Sequence, residues 1–194
     1  RDENRLIAER RAKLDALREQ GEAFPNTFKP EHSADRLRAA YGDAQAWPQE
    51  RLESEGIRAT VAGRMMSRRV MGKAAFVHVR DGSGEQIQLY LRRDDLPDGV
   101  YNAFKHWDVG DIVGASGTLM RTRTGELSIH ADRLELLTKS LRPLPEKWHG
   151  LTDSETRFRQ RYVDLIANPE VRRIFETRSR LVRAIRLFLE DRGF

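Results

Sequence analysis

Residues 76–91 read FVHVRDGSGEQIQLYL, and the middle of the chain is organised around them. The aliphatic residues of this run occupy every second position on each side of a turn: Val77, Val79, Ile87, Leu89 and Leu91. Such alternation is typical of strands with one buried face. The DGSG between them, residues 81–84, has the turn residues that close a hairpin. The run therefore predicts two antiparallel strands that bury the same face.

Three more strands surround this hairpin. Alternation from Ile57 predicts a strand ahead of it, and residues 111–121 and 126–137 predict two strands after it, joined at Thr124-Gly125. Between the third and fourth strands, residues 100–107 have a helical pattern. Three strands, a short helix and two strands is the order of the OB-fold, a five-stranded Greek-key barrel.

Helical patterns precede the barrel. Residues 1–20 and 35–40 predict two helices, with Ser33 as a possible cap of the second, and residues 43–55 predict a connector or another short helix. We therefore predict a helical extension over residues 1–55 and the barrel over residues 56–140.

A proline-containing linker and a long helix follow the barrel. Pro143 and Pro145 cannot continue a strand ladder, so residues 141–155 predict a linker. Asn168 suits a helix cap and Pro169 the first helical position, within a final segment over residues 156–194. Its apolar residues repeat at three- and four-residue steps as one stripe: Val171, Ile174, Phe175, Leu181, Val182, Ile185, Phe188 and Leu189.

The alternation of the hairpin directs several large side chains away from the barrel interior. If the aliphatic residues point inward, four others share the outer surface: Phe76, His78, Gln88 and Tyr90. This is the oligonucleotide-binding face of an OB-fold, where a ring stacks on an unpaired base and an amide bonds to a base edge. The alternative is that the N-terminal helices cover Phe76 and that Tyr90 is an ordinary strand aromatic.

Basic residues lie near the same face, on the first strand and at the last turn. They are candidates for phosphate contacts, or else solvated surface charges: Arg64, Arg68, Arg69, Lys73, Arg121 and Arg123. Glu126, Ser128 and His130 point outward if the fifth strand alternates. A carboxylate at position 126 is suited to accept a hydrogen bond from a base, or it forms a salt bridge with Arg121 or Arg123.

Composition excludes several classes of function. The 194 residues include no cysteine, so disulfides, thiolate catalysis and cysteine-bound zinc are excluded. The five histidines have no metal-ligand spacing, no phosphate-binding glycine loop is present, and no catalytic set of residues is evident. The formal net charge of +5 is weak support for nucleic acid on its own. Without a long apolar run, we expect a cytoplasmic protein that does not span a membrane.

Several strings resemble the lysine-type class IIb aminoacyl-tRNA synthetases of bacteria. They are VAGR (61–64) with SRRVMGK (67–73), TGELSI (124–129), LRPLPEK (141–147), HGL (149–151), RFRQRYVDLI (157–166), and the run from RSR (178–180) to RGF (192–194). The resemblance implies that residues 156–194 begin the α+β catalytic domain of a class II synthetase and contain its motif 1 helix. It covers nearly the whole chain, and residues 1–55 match least specifically.

The resemblance also implies an activity and partners. Such an enzyme activates lysine with ATP and Mg²⁺, transfers it to tRNA(Lys), and forms a homodimer through the motif 1 helix. The corresponding dimer residues are Phe175, Leu181, Val182, Ile185, Phe188 and Leu189, unless this stripe packs against its own domain. Motifs 2 and 3 lie beyond Phe194, so we expect this chain alone to hold no cofactor and to be catalytically inactive.

The family's anticodon-binding residues match positions on the predicted outer face. Phe76 and Gln88 correspond to the residues that stack on and read the central uridine, and Glu126 corresponds to one that contacts a flanking base. Arg68 and Arg69 match the arginines after the first strand. Weaker candidates for RNA contact are Arg64, Lys73, His78, Tyr90, Arg121, Arg123 and His130.

Three other functions fit parts of the sequence. The tRNAs of aspartyl- and asparaginyl-type class IIb synthetases have the same central anticodon uridine, so the predicted outer face fits these enzymes as well. A general single-strand-binding OB module explains the barrel but has no use for the linker and final helix. A purely structural dimerisation piece predicts no RNA binding.

Overall fold

The computed structural model describes residues 2–145, 151 and 153–194. The chain divides into two compact units, Arg1–Pro143 and Leu144–Phe194. The linker predicted for residues 141–155 stays a prediction, because residues 146–150 and 152, including Glu146, Lys147, His149 and Gly150, lie outside the described residues.

The first unit is a closed barrel preceded by helices. Its helices and strands, in chain order, are α1 (Asp2–Gln20), α2 (Ala34–Tyr41), α3 (Gln49–Glu55), β1 (Arg58–Met71), β2 (Ala74–Arg80), β3 (Gln86–Arg92), α4 (Val100–Phe104), β4 (Ile112–Arg121) and β5 (Leu127–Thr138). The strands close in the order β1-β2-β3-β5-β4. Only the β3–β5 pairing of this barrel is parallel. The predicted OB-fold, with a helix between its third and fourth strands, is confirmed.

Strand β1 belongs to two strand pairs and bends between them. Arg58–Arg64 pairs with β4, whereas Arg64–Met71 pairs with β2, and the register shifts between Met65 and Ser67. At Gly63 the backbones approach so closely that a Cβ would lie 2.4 Å from the carbonyl oxygen of Arg80. A glycine is needed there, because any side chain would push β1 and β2 apart.

The barrel interior is filled by the aliphatic residues of the hairpin and by the rings of α4. Val77, Val79, Ile87, Leu89 and Leu91 are all buried, as their alternation predicts. Tyr101 and Phe104 of α4 are also buried in this core. Burial of a large apolar side chain contributes about 1.5–3 kcal/mol, so the register of this hairpin is strongly specified.

The hairpin turn also caps helix α2. Ser33 occupies the N-cap position, but its side chain makes no capping hydrogen bond and instead donates to Asp35. The first helical N–H, that of Ala34, donates to Oδ2 of Asp81 at 2.6 Å. The other oxygen of Asp81 accepts from the backbone N–H of Ser83 within the turn. One carboxylate thus orders the turn and anchors α2 to it.

Arg121, at the end of β4, fastens the segment between α2 and α3 to the barrel. Its guanidinium donates to four backbone carbonyls, those of Tyr41, Gly42, Trp47 and Gly125, at 2.6–3.0 Å. Arg121 is buried, and its N–H groups are directed at these carbonyls rather than at solvent. Its role as a phosphate contact stays a prediction, and the docked helical extension already uses the donors that a phosphate would need.

A buried ion network fastens α1 and the end of β5 to the barrel. The side chain of Lys139 is 1% exposed, and its Nζ lies 2.8 Å from Oδ1 of Asp111 and close to Asp108. From α1, Lys13 donates to Asp108 at 2.9 Å, and Arg10 donates to the carbonyl of Val109 at 3.2 Å. Each buried charge has a partner, which offsets the cost of removing it from water.

The second unit is helical, with α5 (Ser154–Arg159), α6 (Arg161–Ala167) and α7 (Pro169–Glu190). Asn168 occupies the predicted N-cap position of α7, but its side chain does not cap. Its amide nitrogen instead donates to the fully buried Asp164 at 2.7 Å, which also accepts from Arg157 at 2.9 Å and from Arg161. Asp164 therefore holds α5, α6 and the start of α7 together.

The Asp108 carboxylate makes the stability of the first unit sensitive to acid. Burial favours a higher pKa for Asp108, but the hydrogen bonds from Lys139 and Lys13 outweigh it, so its pKa is lowered. A carboxyl whose pKa is lowered by folding stabilises the protein above the unfolded value of about 3.9. That stabilisation is lost as the pH falls through the folded pKa. Asp108→Asn should therefore reduce the free energy of unfolding by roughly 1–3 kcal/mol at pH 7.

Urea unfolding of both proteins between pH 7 and pH 3 measures this effect. The difference between wild type and Asp108→Asn should shrink from about pH 4 downward. Asp94→Asn, which removes a carboxylate from the exposed loop after β3, is the matched control and should change little. A difference that stayed constant over the whole range would contradict the role given to Asp108.

Candidate nucleic-acid interface

Two parallel rows of side chains cross the outer face of β2, β3 and β5. The strand registers place Phe76 beside Tyr90 and Tyr90 beside His130, which forms an aromatic row. Two positions further along, His78 lies beside Gln88, and Gln88 lies beside Ser128. We call the second set, His78, Gln88 and Ser128, the polar row. Both rows face outward because the residues between them on each strand fill the barrel.

The aromatic row is a continuous series of ring contacts. The ring centroids of Phe76 and Tyr90 are 5.0 Å apart, and those of Tyr90 and His130 are 5.2 Å apart. Asp95 holds the ring of His130, because Oδ2 of Asp95 lies 2.6 Å from Nε2 of His130. Phe76 is half-buried, so part of its ring remains accessible. The N-terminal helices therefore do not cover it completely, which was the alternative considered from sequence.

The polar row is joined to Glu126 by hydrogen bonds. Gln88 donates from Nε2 to Oε2 of Glu126 at 2.9 Å and accepts from Oγ of Ser128 at 2.8 Å. Nε2 of His78 lies 3.1 Å from the other Glu126 oxygen, and its Nδ1 lies 3.0 Å from Oγ of Ser67. Glu126 thus interacts with the polar row, rather than forming a salt bridge with Arg121 or Arg123.

Four of these side chains line an open groove of about 770 Å³, whereas Glu126, Ser128 and His130 do not line it. One wall is the far end of β1, with Ser67, Arg68 and Arg69, and the other is the β4–β5 turn at residues 122–124. Phe76, His78, Gln88 and Tyr90 line the floor between these walls. A smaller cavity of about 250 Å³ adjoins it, beyond Tyr90 and His130 towards α3.

The basic candidates are placed differently from one another. Arg69 and Arg123 are exposed at the groove, whereas Arg68 is half-buried and donates to the carbonyl oxygens of Phe104 and Lys105. Arg64 and Lys73 do not line the groove. Arg64 donates to the carbonyl of Gly110 at 2.7 Å. The register shift in β1 between Met65 and Ser67 places Arg69 opposite Phe76 and Arg68 opposite Val77.

Sequence reasoning missed three side chains that support this site. Ser67 and Asp95 hold His78 and His130, and Ser128 holds Gln88. Ser128 has the right parity on β5 to face outward, so alternation alone gave its direction. Its contact with Gln88 follows from the parallel pairing of β3 with β5, which no local pattern indicates.

The described residues hold no metal-binding group and no membrane span. No three His, Asp or Glu side chains among residues 2–145, 151 and 153–194 come together as potential ligands. Over the same ranges, no helix is long and apolar enough to cross a bilayer.

Both units match family models of known proteins. Residues 59–137 match the family model described as "OB-fold nucleic acid binding domain", and residues 153–194 match "tRNA synthetases class II (D, K and N)". A lysine–tRNA ligase of Thioalkalivibrio sulfidiphilus is 58% identical over 193 residues, and one of Serratia proteamaculans is 58% identical over 194. A third, from Cupriavidus metallidurans, is 55% identical over 193 residues. Each alignment covers 100% of this chain.

The chain is similar over its whole length to bacterial lysine–tRNA ligases. It spans 37–38% of the length of these curated relatives. The resemblance noted from the linker and from residues 157–166 is thus confirmed, and the aspartyl or asparaginyl assignment is not favoured. The barrel thus resembles a nucleic-acid-binding module, and residues 153–194 resemble part of a class II synthetase domain.

Proposed function

We propose that the groove binds the anticodon loop of tRNA(Lys), and that the parent enzyme joins lysine to this tRNA. The observation that carries the proposal is the position of Phe76 and Gln88 on one groove floor, on adjacent strands and two residues apart in register. A ring beside an amide provides stacking and base-edge hydrogen bonds to the same unpaired base. The similar proteins are named lysine–tRNA ligase, and these names are the basis for proposing lysine as the amino acid.

The groove rim suits the backbone of a single-stranded loop. Arg69 and Arg123 are exposed on opposite walls, and their side chains have no hydrogen-bond partner among the described residues. Guanidinium groups bind phosphate oxygens at fixed geometry and so orient an RNA loop without reading its sequence. In this arrangement the walls position the loop, and the floor reads the base.

The rest of the activity belongs to the parent enzyme. ATP would supply the adenylyl group that activates the lysine carboxylate, with pyrophosphate as the leaving group, and Mg²⁺ would neutralise the charge of the phosphates. No described residue of this chain is assigned to either, because the described carboxylates and histidines form no ligand cluster. The proposal carries a cytoplasmic location, since tRNA charging takes place where tRNA is used.

The exposed stripe of α7 is proposed as part of the homodimer interface of the parent enzyme. Phe175 is half-buried, and the exposed stripe residues are Leu181, Val182, Ile185, Phe188 and Leu189. Contiguous apolar residues on a helix require a covering surface in the assembled protein. A second copy of the motif 1 helix provides such a surface, as the resemblance implies.

Replacement of the Phe76 ring tests anticodon binding. Phe76→Leu keeps an apolar side chain but removes the stacking surface, which is worth roughly 1–3 kcal/mol per base. We expect about 5- to 150-fold weaker binding of a lysine anticodon stem–loop in a fluorescence titration. Phe24→Leu changes a ring that is 45% exposed and does not line the groove, so it should bind as wild type does.

A stem–loop with a scrambled anticodon separates the candidate functions. Anticodon recognition predicts weaker binding of the scrambled loop, whereas a general single-strand-binding module predicts equal affinity for both. Unchanged affinity for the lysine stem–loop in Phe76→Leu would count against the groove as the binding site.

Two arginines separate phosphate binding from fold maintenance. Arg69→Gln should reduce the slope of log affinity against log salt concentration by roughly 0.7, the value for one phosphate contact in a single strand, and should leave stability unchanged. Arg121→Gln should leave that slope unchanged, although it removes one positive charge from the same groove. It should lower the free energy of unfolding by roughly 1–3 kcal/mol, because glutamine cannot donate to four carbonyls at once.

Salt-dependent titrations and urea unfolding of both variants measure these effects. Both variants alter one arginine that lines the same groove, so each serves as the control for the other. A smaller salt slope in Arg121→Gln would show that Arg121 contacts phosphate after all. A normal slope in Arg69→Gln would remove Arg69 from the interface.

A further inference from the structure

Helix α1 is attached to the first unit mostly by polar contacts. Among its described side chains, the buried apolar one is Leu14, at 4% exposed, whereas Leu6 is 43% exposed. Helices in proteins are stabilised mainly by packing of an apolar face, and this helix of 19 residues has little of it. Its position on the barrel therefore depends on two charged side chains, Arg10 and Lys13.

Arg10 joins α1 to the residues with which the chain leaves the barrel. Its Nη1 donates to the carbonyl oxygens of Ser140 at 3.2 Å and of Arg142 at 3.1 Å, and its Nη2 donates to that of Val109 at 3.2 Å. We call Ser140, Leu141 and Arg142 the exit segment. One guanidinium thus holds both ends of the exit segment against the turn that precedes β4.

The exit segment has its own anchor to the barrel at its first residue. The backbone N–H of Ser140 donates to the buried Asp111 at 2.8 Å. Further along, Oγ of Ser140 donates to the carbonyl of Arg142 at 3.0 Å, which is a bond within the segment. Within the described ranges, Leu141 and Arg142 have no other hydrogen-bond partner than Arg10 and Ser140. Without Arg10, no hydrogen bond would hold these two residues to the rest of the unit.

The freedom of this segment matters for a ligand that must contact both units. Residues 59–137 match a nucleic-acid-binding module and residues 153–194 match a class II synthetase domain. A tRNA that binds the barrel by its anticodon has to present its acceptor end to that domain. Two linked sites act on one ligand at an effective concentration that depends on the length and stiffness of the connection. Residues held against the barrel add no freedom to the connection, so a held exit segment lowers the cost of engaging the second site.

We propose that α1 is a strap that holds the exit segment through Arg10, and that Arg10 is a positioning residue for tRNA charging by the parent enzyme. The inference rests on the proposed function, because it requires that a tRNA bound at the barrel is charged elsewhere in the same enzyme. Arg10 does not line the groove. Its effect on charging therefore passes through the exit segment and not through affinity for the anticodon.

Backbone order parameters, measured by NMR relaxation on this chain, test the strap. Those of Leu141 and Arg142 should be about 0.85 in the wild type and should fall below about 0.6 in Arg10→Gln. Arg11→Gln is the matched control, because Arg11 is an exposed arginine of the same helix with no hydrogen-bond partner among the described residues. Leu14→Ala weakens the docking of α1 without removing a hydrogen bond to the exit segment. It should lower the order parameters in the same direction, and it provides the test if Arg10→Gln does not fold.

Kinetics of the parent enzyme separate positioning from stability. Arg10→Gln should raise the KM for tRNA in the charging reaction by at least about threefold. Lysine-dependent pyrophosphate exchange, which needs no tRNA, should stay as in wild type, and so should the affinity of this chain for the lysine anticodon stem–loop. A variant that was only less stable would lose the three activities together. Arg11→Gln should match the wild type in all three.

The outcomes separate this inference from the proposed function. Order parameters that stay at the wild-type value in Arg10→Gln overturn the strap. If they fall but the KM for tRNA does not rise, the positioning role is overturned and anticodon binding stands. If the wild-type chain binds the lysine stem–loop and a scrambled one equally, anticodon binding itself fails, and the positioning role fails with it.

Discussion

The antiparallel register of β2 and β3 is the constraint on which the site depends. Pairing of Phe76 with Tyr90 and of His78 with Gln88 sends the intervening Val77 and Leu89 into the core. A slip by one residue would exchange the two faces, burying polar groups and exposing aliphatic ones. The energy that holds the barrel together therefore also fixes the direction of every side chain on the groove floor.

Charged side chains connect other parts of the first unit to this hairpin and to one another. Asp81 in the hairpin turn caps α2, and Arg121 binds the backbone between α2 and α3. Lys139, which directly follows β5, forms ion pairs with Asp108 and Asp111. Each of these charged groups has hydrogen-bond partners within the protein, whereas the side chains of Arg69 and Arg123 at the groove rim have none among the described residues.

Local patterns in the sequence predicted the strands and the direction of their side chains. Phe76 and Gln88 could be placed on one outer face because alternation of a strand depends only on neighbours in the chain. Three features depend on distant partners and could not be predicted in this way. The register shift in β1 placed Arg69, rather than Arg68, opposite Phe76, docking of the helical extension buried Arg121, and β3–β5 pairing brought Ser128 to Gln88.

Arg121 has a consequence for the energetics of RNA capture. One of its four hydrogen bonds goes to the carbonyl of Gly125, inside the turn that forms one wall of the groove. That wall is therefore ordered when the protein folds, and a bound loop does not have to immobilise it. Because ordering of loops and side chains on binding opposes association, a preformed wall leaves more of the contact free energy available as affinity.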